Sequence, residues 1–249
     1  MSLELNKIHE GDCLELMKKI PDKSVDMILC DLPYGTTACR WDTIIPFEPL
    51  WEQYERIIKD NGAIVLTASQ PFTTSLISSN MKHFKYCWVW NKKLAGNGIL
   101  AKIQPLKIHE DVIVFGKGKI NYFPSMRKGK ARYKGGIKDK HGTFSNAESE
   151  KVWSDEYYPV SILEFSGAGM RTGRVHPTQK PVALFEYLIK TYTNENETVL
   201  DNCMGSGTTA IACLNTNRNF IGIEKEKEYV DISNNRINEW HKENSCDVF

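Results

Sequence analysis

No apolar run in the 249 residues approaches the roughly 20 that a helix needs to cross a bilayer. A spanning helix is therefore excluded and no membrane partner is expected. Met1–Asp12 lacks the apolar core of a secretory signal, so the protein is read as intracellular and cytoplasmic. The seven cysteines are scattered and odd in number, and no Cys-x-x-Cys pair occurs. That argues for reduced thiols, against a disulfide framework, and for no metal. The chain has no internal repeat and no low-complexity tract. Its net charge of +1 leaves the nucleic-acid question open, while 41% hydrophobic and 25% charged residues are ordinary globular values.

What is present is a regular alternation. Short apolar runs at 7–10, 25–31, 63–68, 84–90, 111–116, 198–202 and 220–224 read as strands. Several are near-continuous in Val, Ile and Leu, as strands covered on both faces require. Helical patterns at 13–20, 46–59, 71–80, 181–191, 207–215 and 227–242 fall between them. Strands alternating with helices predict a mainly parallel, doubly wound α/β sheet. Two stretches break the rhythm. Residues 92–107 hold Gly96, Gly98 and Pro105 and read as a mobile loop. Residues 117–175 are long, glycine-containing and weakly periodic, and read as an inserted recognition lobe. Between Lys117 and Lys140 that lobe carries nine basic residues against one acid, Asp139. Either this is a solvated face or it contacts phosphates, with Tyr122, Phe123 and Tyr133 available to stack or wedge.

Chemistry concentrates in two places. In Val199–Thr209 a buried strand runs into Gly205-Ser206-Gly207 and then a helix. Glycines allow close approach of a ligand to the backbone, and the helix start offers free N–H groups. Seventeen residues beyond Gly207 lies Glu224, ending the next strand, where a carboxylate can accept both hydroxyls of a ribose. On this segment alone NAD and S-adenosylmethionine compete. The second place is Cys30-Asp31-Leu32-Pro33-Tyr34-Gly35, directly after a buried strand. The lone pair of a nucleobase amine is delocalised into the ring. Acceptors on its N–H bonds, such as the Asp31 carboxylate and the Leu32 carbonyl, draw the nitrogen toward tetrahedral geometry and free that pair. Tyr34 can stack on a base taken out of the helix.

Asp31-Leu32-Pro33-Tyr34 resembles the Asp/Asn/Ser-Pro-Pro-Tyr/Phe motif of the amino-group DNA methyltransferases, which make N6-methyladenine or N4-methylcytosine. Asp201 to Thr209 resembles their cofactor motif. His176-Pro177-Thr178-Gln179-Lys180-Pro181 resembles the segment before the helix that holds the methionine end of the cofactor, and Gly11-Asp12-Cys13 the adenine-binding segment. The catalytic motif precedes the cofactor motif, as in the β class, a circular permutation of the Rossmann-like methyltransferase fold. Two departures are visible. Leu32 replaces a proline, and Asn202, Cys203 and Met204 replace a stretch with an aromatic that packs on the cofactor, a place Met204 can fill.

The resemblance implies a catalytic half at 1–116, a target-recognition insertion at 117–175 and a cofactor half at 176–249. It implies Asp31, Leu32, Pro33 and Tyr34 as catalytic residues. For S-adenosyl-L-methionine it implies Asp12, Cys13, Lys180 (on the cofactor's carboxylate), Asp201, Asn202, Met204, Gly205, Ser206, Gly207, Thr208, Glu224 and Lys225. Arg127, Lys128, Lys130, Arg132 and Lys134 are the DNA-binding residues expected from the basic run. Double-stranded DNA is the expected substrate, with a homodimer and a cognate restriction endonuclease as further partners. Asp at the head of the catalytic motif points to adenine N6, since family members acting on cytosine N4 commonly carry Ser there. An RNA or protein-glutamine methyltransferase is a weaker alternative, because the glycine motif normally comes first in those families. No Pro-Cys occurs to supply the nucleophile that methylation at cytosine C5 requires.

Overall fold

The structure, a computed structural model, describes residues 2–36, 39, 42–96, 98–134, 151–167 and 179–245. In chain order its elements are β1 (Lys7–Glu10), α1 (Cys13–Met17), β2 (Val25–Asp31), α2 (Phe47–Ile57), β3 (Ile58–Ala68), α3 (Phe72–Ser79), β4 (Phe84–Gly96) and β5 (Lys107–Phe115). They continue with β6 (Arg127–Lys134), β7 (Val152–Tyr157), β8 (Ile162–Glu164), α4 (Val182–Tyr192), β9 (Thr198–Asp201), α5 (Thr208–Asn215), β10 (Asn219–Glu224) and α6 (Lys227–Ser245). Eight strands form one sheet in the order β1-β10-β9-β2-β3-β5-β4-β8. The run from β1 to β3 is parallel, β5 is antiparallel to both β3 and β4, and β8 is parallel to β4.

Successive residues of a strand face opposite sides of a sheet, and the two cores follow from that. Ile28 and Cys30 of β2 and Ile64 and Leu66 of β3 pack with Met17, Leu50, Tyr54 and Leu76 from α1, α2 and α3. Met27, Leu29, Ala63 and Val65 pack on the other side with Leu184, Leu188, Ala210 and Cys213 from α4 and α5. This is the doubly wound arrangement expected from the alternation. The strand order reverses between β9 and β2. From β2 the chain winds one way to β3, and from β9 the other way to β10. At such a reversal the loops after two adjacent parallel strands part, and a crevice opens at the strands' C-terminal ends.

Two expectations change. The segment 92–107 is not simply a loop: β4 runs on to Gly96 and β5 begins at Lys107, with Asn91 opposite His109 and Gly96 opposite Lys107. Pairing with a partner strand supplies the backbone hydrogen bonds that local composition does not announce. The long insertion is also divided. Pro124–Val160 forms a separate compact unit, narrower than 117–175, while Ile162–Glu164 joins the large sheet as β8 beside β4. Tyr122 packs on Tyr192 of α4, and the Phe123 N–H donates to Thr191 O at 2.8 Å, so both aromatics belong to the larger unit.

Within the small unit β6 pairs antiparallel with β7. A stretch whose glycines and like charges promised no regular structure is a strand because its partner answers it. Lys128 lies opposite Glu156, and Tyr133 meets Trp153 edge to face at 4.9 Å. Lys138 and Lys140 lie outside the described residues, as do His176, Pro177 and Thr178.

Candidate active site

The C-terminal ends of four adjacent strands carry Glu224 (β10), Asp201 (β9), Asp31 (β2) and Thr67 (β3). In front of them lies a cavity of about 910 Å³. At one side the chain leaves β9 in a tight loop. Asp201 accepts from the Cys203 N–H at 3.0 Å and from the Thr209 hydroxyl, tying strand end to helix start. Burial pushes its carboxyl up to about 7, against the bonds from Thr209 and Cys203. Gly205 (φ +53°) and Gly207 (φ +81°) both need left-handed backbone, and they do different things. A Cβ on Gly205 would meet nothing nearer than 3.9 Å, so this glycine leaves an open cradle for a ligand. A Cβ on Gly207 would lie 2.8 Å from Ser233 Cβ, so that glycine lets α6 pack against the loop. Of the expected cofactor residues, Gly207 is the one that does not line the cavity.

Glu224 is 8% exposed and accepts from Gly205 N at 2.7 Å and Glu226 N at 2.9 Å, which pins the loop against β10. Asp12 caps α1, accepting from Leu14 N at 2.9 Å, and with Cys13 forms another wall. Asn202 accepts from the Tyr54 hydroxyl, and Met204 is buried where a Cβ on Gly222 would strike its Cε. Ser206, Thr208 and Lys225 complete this end. A side-chain-free cradle, a helix start and a buried carboxylate at the next strand's end are a donor and acceptor set that fits a nucleoside-bearing cofactor.

On the other side stands Asp31. Its Oδ1 accepts from the Tyr34 hydroxyl at 2.8 Å and from the Thr67 hydroxyl, and its Oδ2 accepts from Lys180 Nζ at 2.7 Å. Tyr34 is stacked on Phe72, with ring centroids 5.2 Å apart. Burial, then the charges of Asp31 and Glu110, push the Tyr34 phenol well above its usual range, so it stays a hydrogen-bond donor. Leu32 is buried, and Pro33 lines the cavity. Lys180, expected from the sequence on the cofactor's carboxylate, lines the cavity and is ion-paired within the protein. Besides Asp31 it lies 3.4 Å from Glu110 Oε2. Burial alone would lower its pKa, but the two carboxylates outweigh that and raise it. Glu110 in turn receives Lys92 at 3.0 Å. Its burial is outweighed by Lys180 and Lys92, which hold its carboxyl below the usual range.

Sequence reasoning missed Thr67, Phe72 and Glu110. A hydroxyl in the apolar run Val65–Ala68 was the signal for Thr67, whereas Glu110, flanked by His109 and Asp111, carries no local pattern that sets it apart. Among the described residues no cluster of metal-ligating side chains exists. The basic residues of β6 lie in the other unit. Lys128 is paired with Glu156 at 3.0 Å and Asp155 at 3.3 Å, Arg127 donates to Tyr158 O at 3.1 Å, and Lys134 donates to Glu156 O. Arg132 lies over the Tyr157 ring at 5.0 Å, and Lys130 is exposed.

A sheet of this order, with a glycine-loop half that follows the acid-bearing half in the chain, is that of an S-adenosylmethionine-dependent methyltransferase in permuted form. Comparison with known proteins narrows the class. A family model described as DNA methylase, for enzymes acting on N6 or N4 amines, matches residues 25–235. The type II methyltransferase M1.MboII of Moraxella bovis is 29% identical over 260 residues, covering 95% of this chain and 98% of that protein. M.BglII of Bacillus subtilis is 30% identical, covering 92% and 68%. The crystal structure of the M1.HpyAVI complex with S-adenosylmethionine superposes with a TM-score of 0.62 at 27% identity, covering 92% of this chain and 98% of that one. The PvuII cytosine-N4-specific methyltransferase, at 16% identity and a TM-score of 0.66, shares the fold. The chain belongs to the N6-adenine/N4-cytosine DNA methylase family, and its cofactor is S-adenosylmethionine.

Proposed function

We propose that the protein methylates the N6 amine of adenine in duplex DNA, with the target base turned out of the helix into the cavity beside Asp31. The observation that carries this reading is the acid-bearing corner at the end of β2, where one carboxylate faces the same cavity as the glycine loop at the end of β9. Asp31 accepts an N–H of the amine and localises the nitrogen lone pair. Leu32 contributes its carbonyl, Pro33 fixes the turn, and Tyr34 stacks on the base while its hydroxyl holds Asp31 in place. Asp12, Cys13, Asp201, Asn202, Met204, Ser206, Thr208 and Lys225 shape the cofactor end, Gly205 keeps it open, and Glu224 accepts from the ribose. S-adenosylmethionine, when bound, supplies an electrophilic methyl on a sulfonium. The nitrogen lone pair forms the new C–N bond, the old C–S pair stays on sulfur, and the surplus amine proton passes by way of Asp31 to water. No covalent bond to the protein is needed, so orientation supplies much of the acceleration.

Asp31, in the place where cytosine-specific relatives commonly carry Ser, supports adenine. A second copy of the chain and a restriction endonuclease of the same site are the proposed protein partners, in a cytoplasmic setting. The test is transfer of labelled methyl to duplex DNA, followed by nucleoside analysis. N6-methyladenine is expected, and N4-methylcytosine would overturn the choice of base. Asp31→Ala should abolish transfer with cofactor affinity retained. Near wild-type turnover in that variant would remove Asp31 from the chemistry.

A further inference from the structure

Asp31 has to receive the target amine, yet it is already heavily engaged. Its Oδ1 takes the hydroxyls of Tyr34 and Thr67, and its Oδ2 takes Lys180 Nζ at 2.7 Å. A carboxylate oxygen has two acceptor positions, so the one left lies on Oδ2 beside an ammonium. That neighbour is unfavourable, because positive charge builds on the amine nitrogen as it is alkylated. Lys180 cannot turn out to solvent without losing its packing. Its side chain is 7% exposed, and a buried cation needs a counter-charge.

Glu110 offers one. Its Oε2 is buried, lies 3.4 Å from Lys180 Nζ and, among the described residues, takes part in no hydrogen bond. Its Oε1 is held by Lys92 Nζ at 3.0 Å, which anchors the carboxylate where it stands. Lys180 therefore sits between two acids, bonded to one and within a small movement of the other. Closing 3.4 Å to an ordinary length of about 2.9 Å completes a bond to Glu110.

We propose that Glu110 is a positioning residue that draws Lys180 off Asp31 when the target amine arrives, freeing Oδ2 and offsetting the ammonium's charge. The inference rests on the reading above, in which Asp31 receives the amine. Glu110 does not touch the base. It acts through Lys180 on the acceptor strength of Asp31.

The experiment compares wild type with Glu110→Gln, which keeps shape and loses charge. Single-turnover methyl transfer to duplex DNA is expected to slow by about 10- to 100-fold, the scale of a misplaced reacting group. Affinity for S-adenosylhomocysteine by calorimetry, and for the DNA duplex by anisotropy, should remain that of the wild type. A wild-type rate in a folded variant overturns the proposal. So does a loss carried by weaker S-adenosylhomocysteine binding, which would make the Lys180–Glu110 pair part of the cofactor's grip. Should Glu110→Gln fail to fold, Glu110→Asp decides. Withdrawing the carboxylate by one methylene should slow the same step, and a wild-type rate there is equally fatal. A wild-type protein that methylates no DNA amine, or an Asp31→Ala variant that keeps its rate, would instead sink the underlying reading.

Discussion

Asp201 shows how one buried acid can serve a site at a cost to the fold. Its carboxyl is 2% exposed and bonded to the Thr209 hydroxyl and the Cys203 N–H, which fixes the exit of β9 into the glycine loop. Burial raises its pKa from 3.8 to about 7. Between those values the folded chain holds a proton that the unfolded chain has released. Stability from this group is therefore greatest below about pH 4 and falls as pH rises to about 7, by at most about 1.4 kcal/mol per pH unit. Asp201→Asn keeps an acceptor for Cys203 and does not titrate. Its melting temperature relative to wild type should rise steadily from pH 4.5 to pH 7.5, measured by calorimetry in matched buffers. A difference that is flat with pH would mean that Asp201 is ionised throughout.

Among the elements, β6 is where charge and pairing compete. Lys128 spends its charge on Asp155 and Glu156, and Lys134 donates to a main-chain carbonyl of β7. Lys130 and Arg132 keep charges that no acid of the strand pair neutralises in this way. If the strand tracks phosphates, Lys130→Ala with Arg132→Ala should weaken binding to all duplex sequences alike. The plot of log affinity against log salt should flatten by about 0.9 for each lost contact. Lys128→Ala should change the slope far less, because its charge is already compensated. An unchanged slope in the double variant would leave β6 as a solvated strand. Tyr133 and Trp153, both exposed, face each other across the two strands in edge-to-face contact and support their register.

At the scale of the whole molecule the chain is two compact units, Met1–Phe123 with Ser161–Phe249, and Pro124–Val160. Among the described residues, all that line the cofactor cavity belong to the first. Joining Phe123 to Ser161 through a flexible glycine–serine linker, in place of 124–160, should therefore leave S-adenosylhomocysteine affinity within about twofold and remove retention on duplex DNA, by calorimetry and by mobility shift. Loss of cofactor binding in a folded protein would show that the small unit supports the cavity. Retention of full DNA affinity would place the DNA contacts on the larger unit, near Lys92, Lys93 and Lys102.

Periodicity, turn residues and two short motifs determined the strand–helix alternation, the class of sheet and the two corners of the site. Each of those is local: a buried strand reads as an apolar run, and a glycine loop or an acid after a strand is contiguous in the chain. What the tertiary structure alone decided is everything that depends on strand order. β9 and β2 are more than 150 residues apart in sequence, yet they pair, and only that pairing brings Asp201 and Asp31 to one crevice. Lys180 illustrates the limit best. From the sequence it is a lysine before a helix, suited to an acidic ligand, but long-range packing sets it between Asp31 and Glu110. A buried cation takes the nearest carboxylates the fold supplies, and no local pattern records which those are.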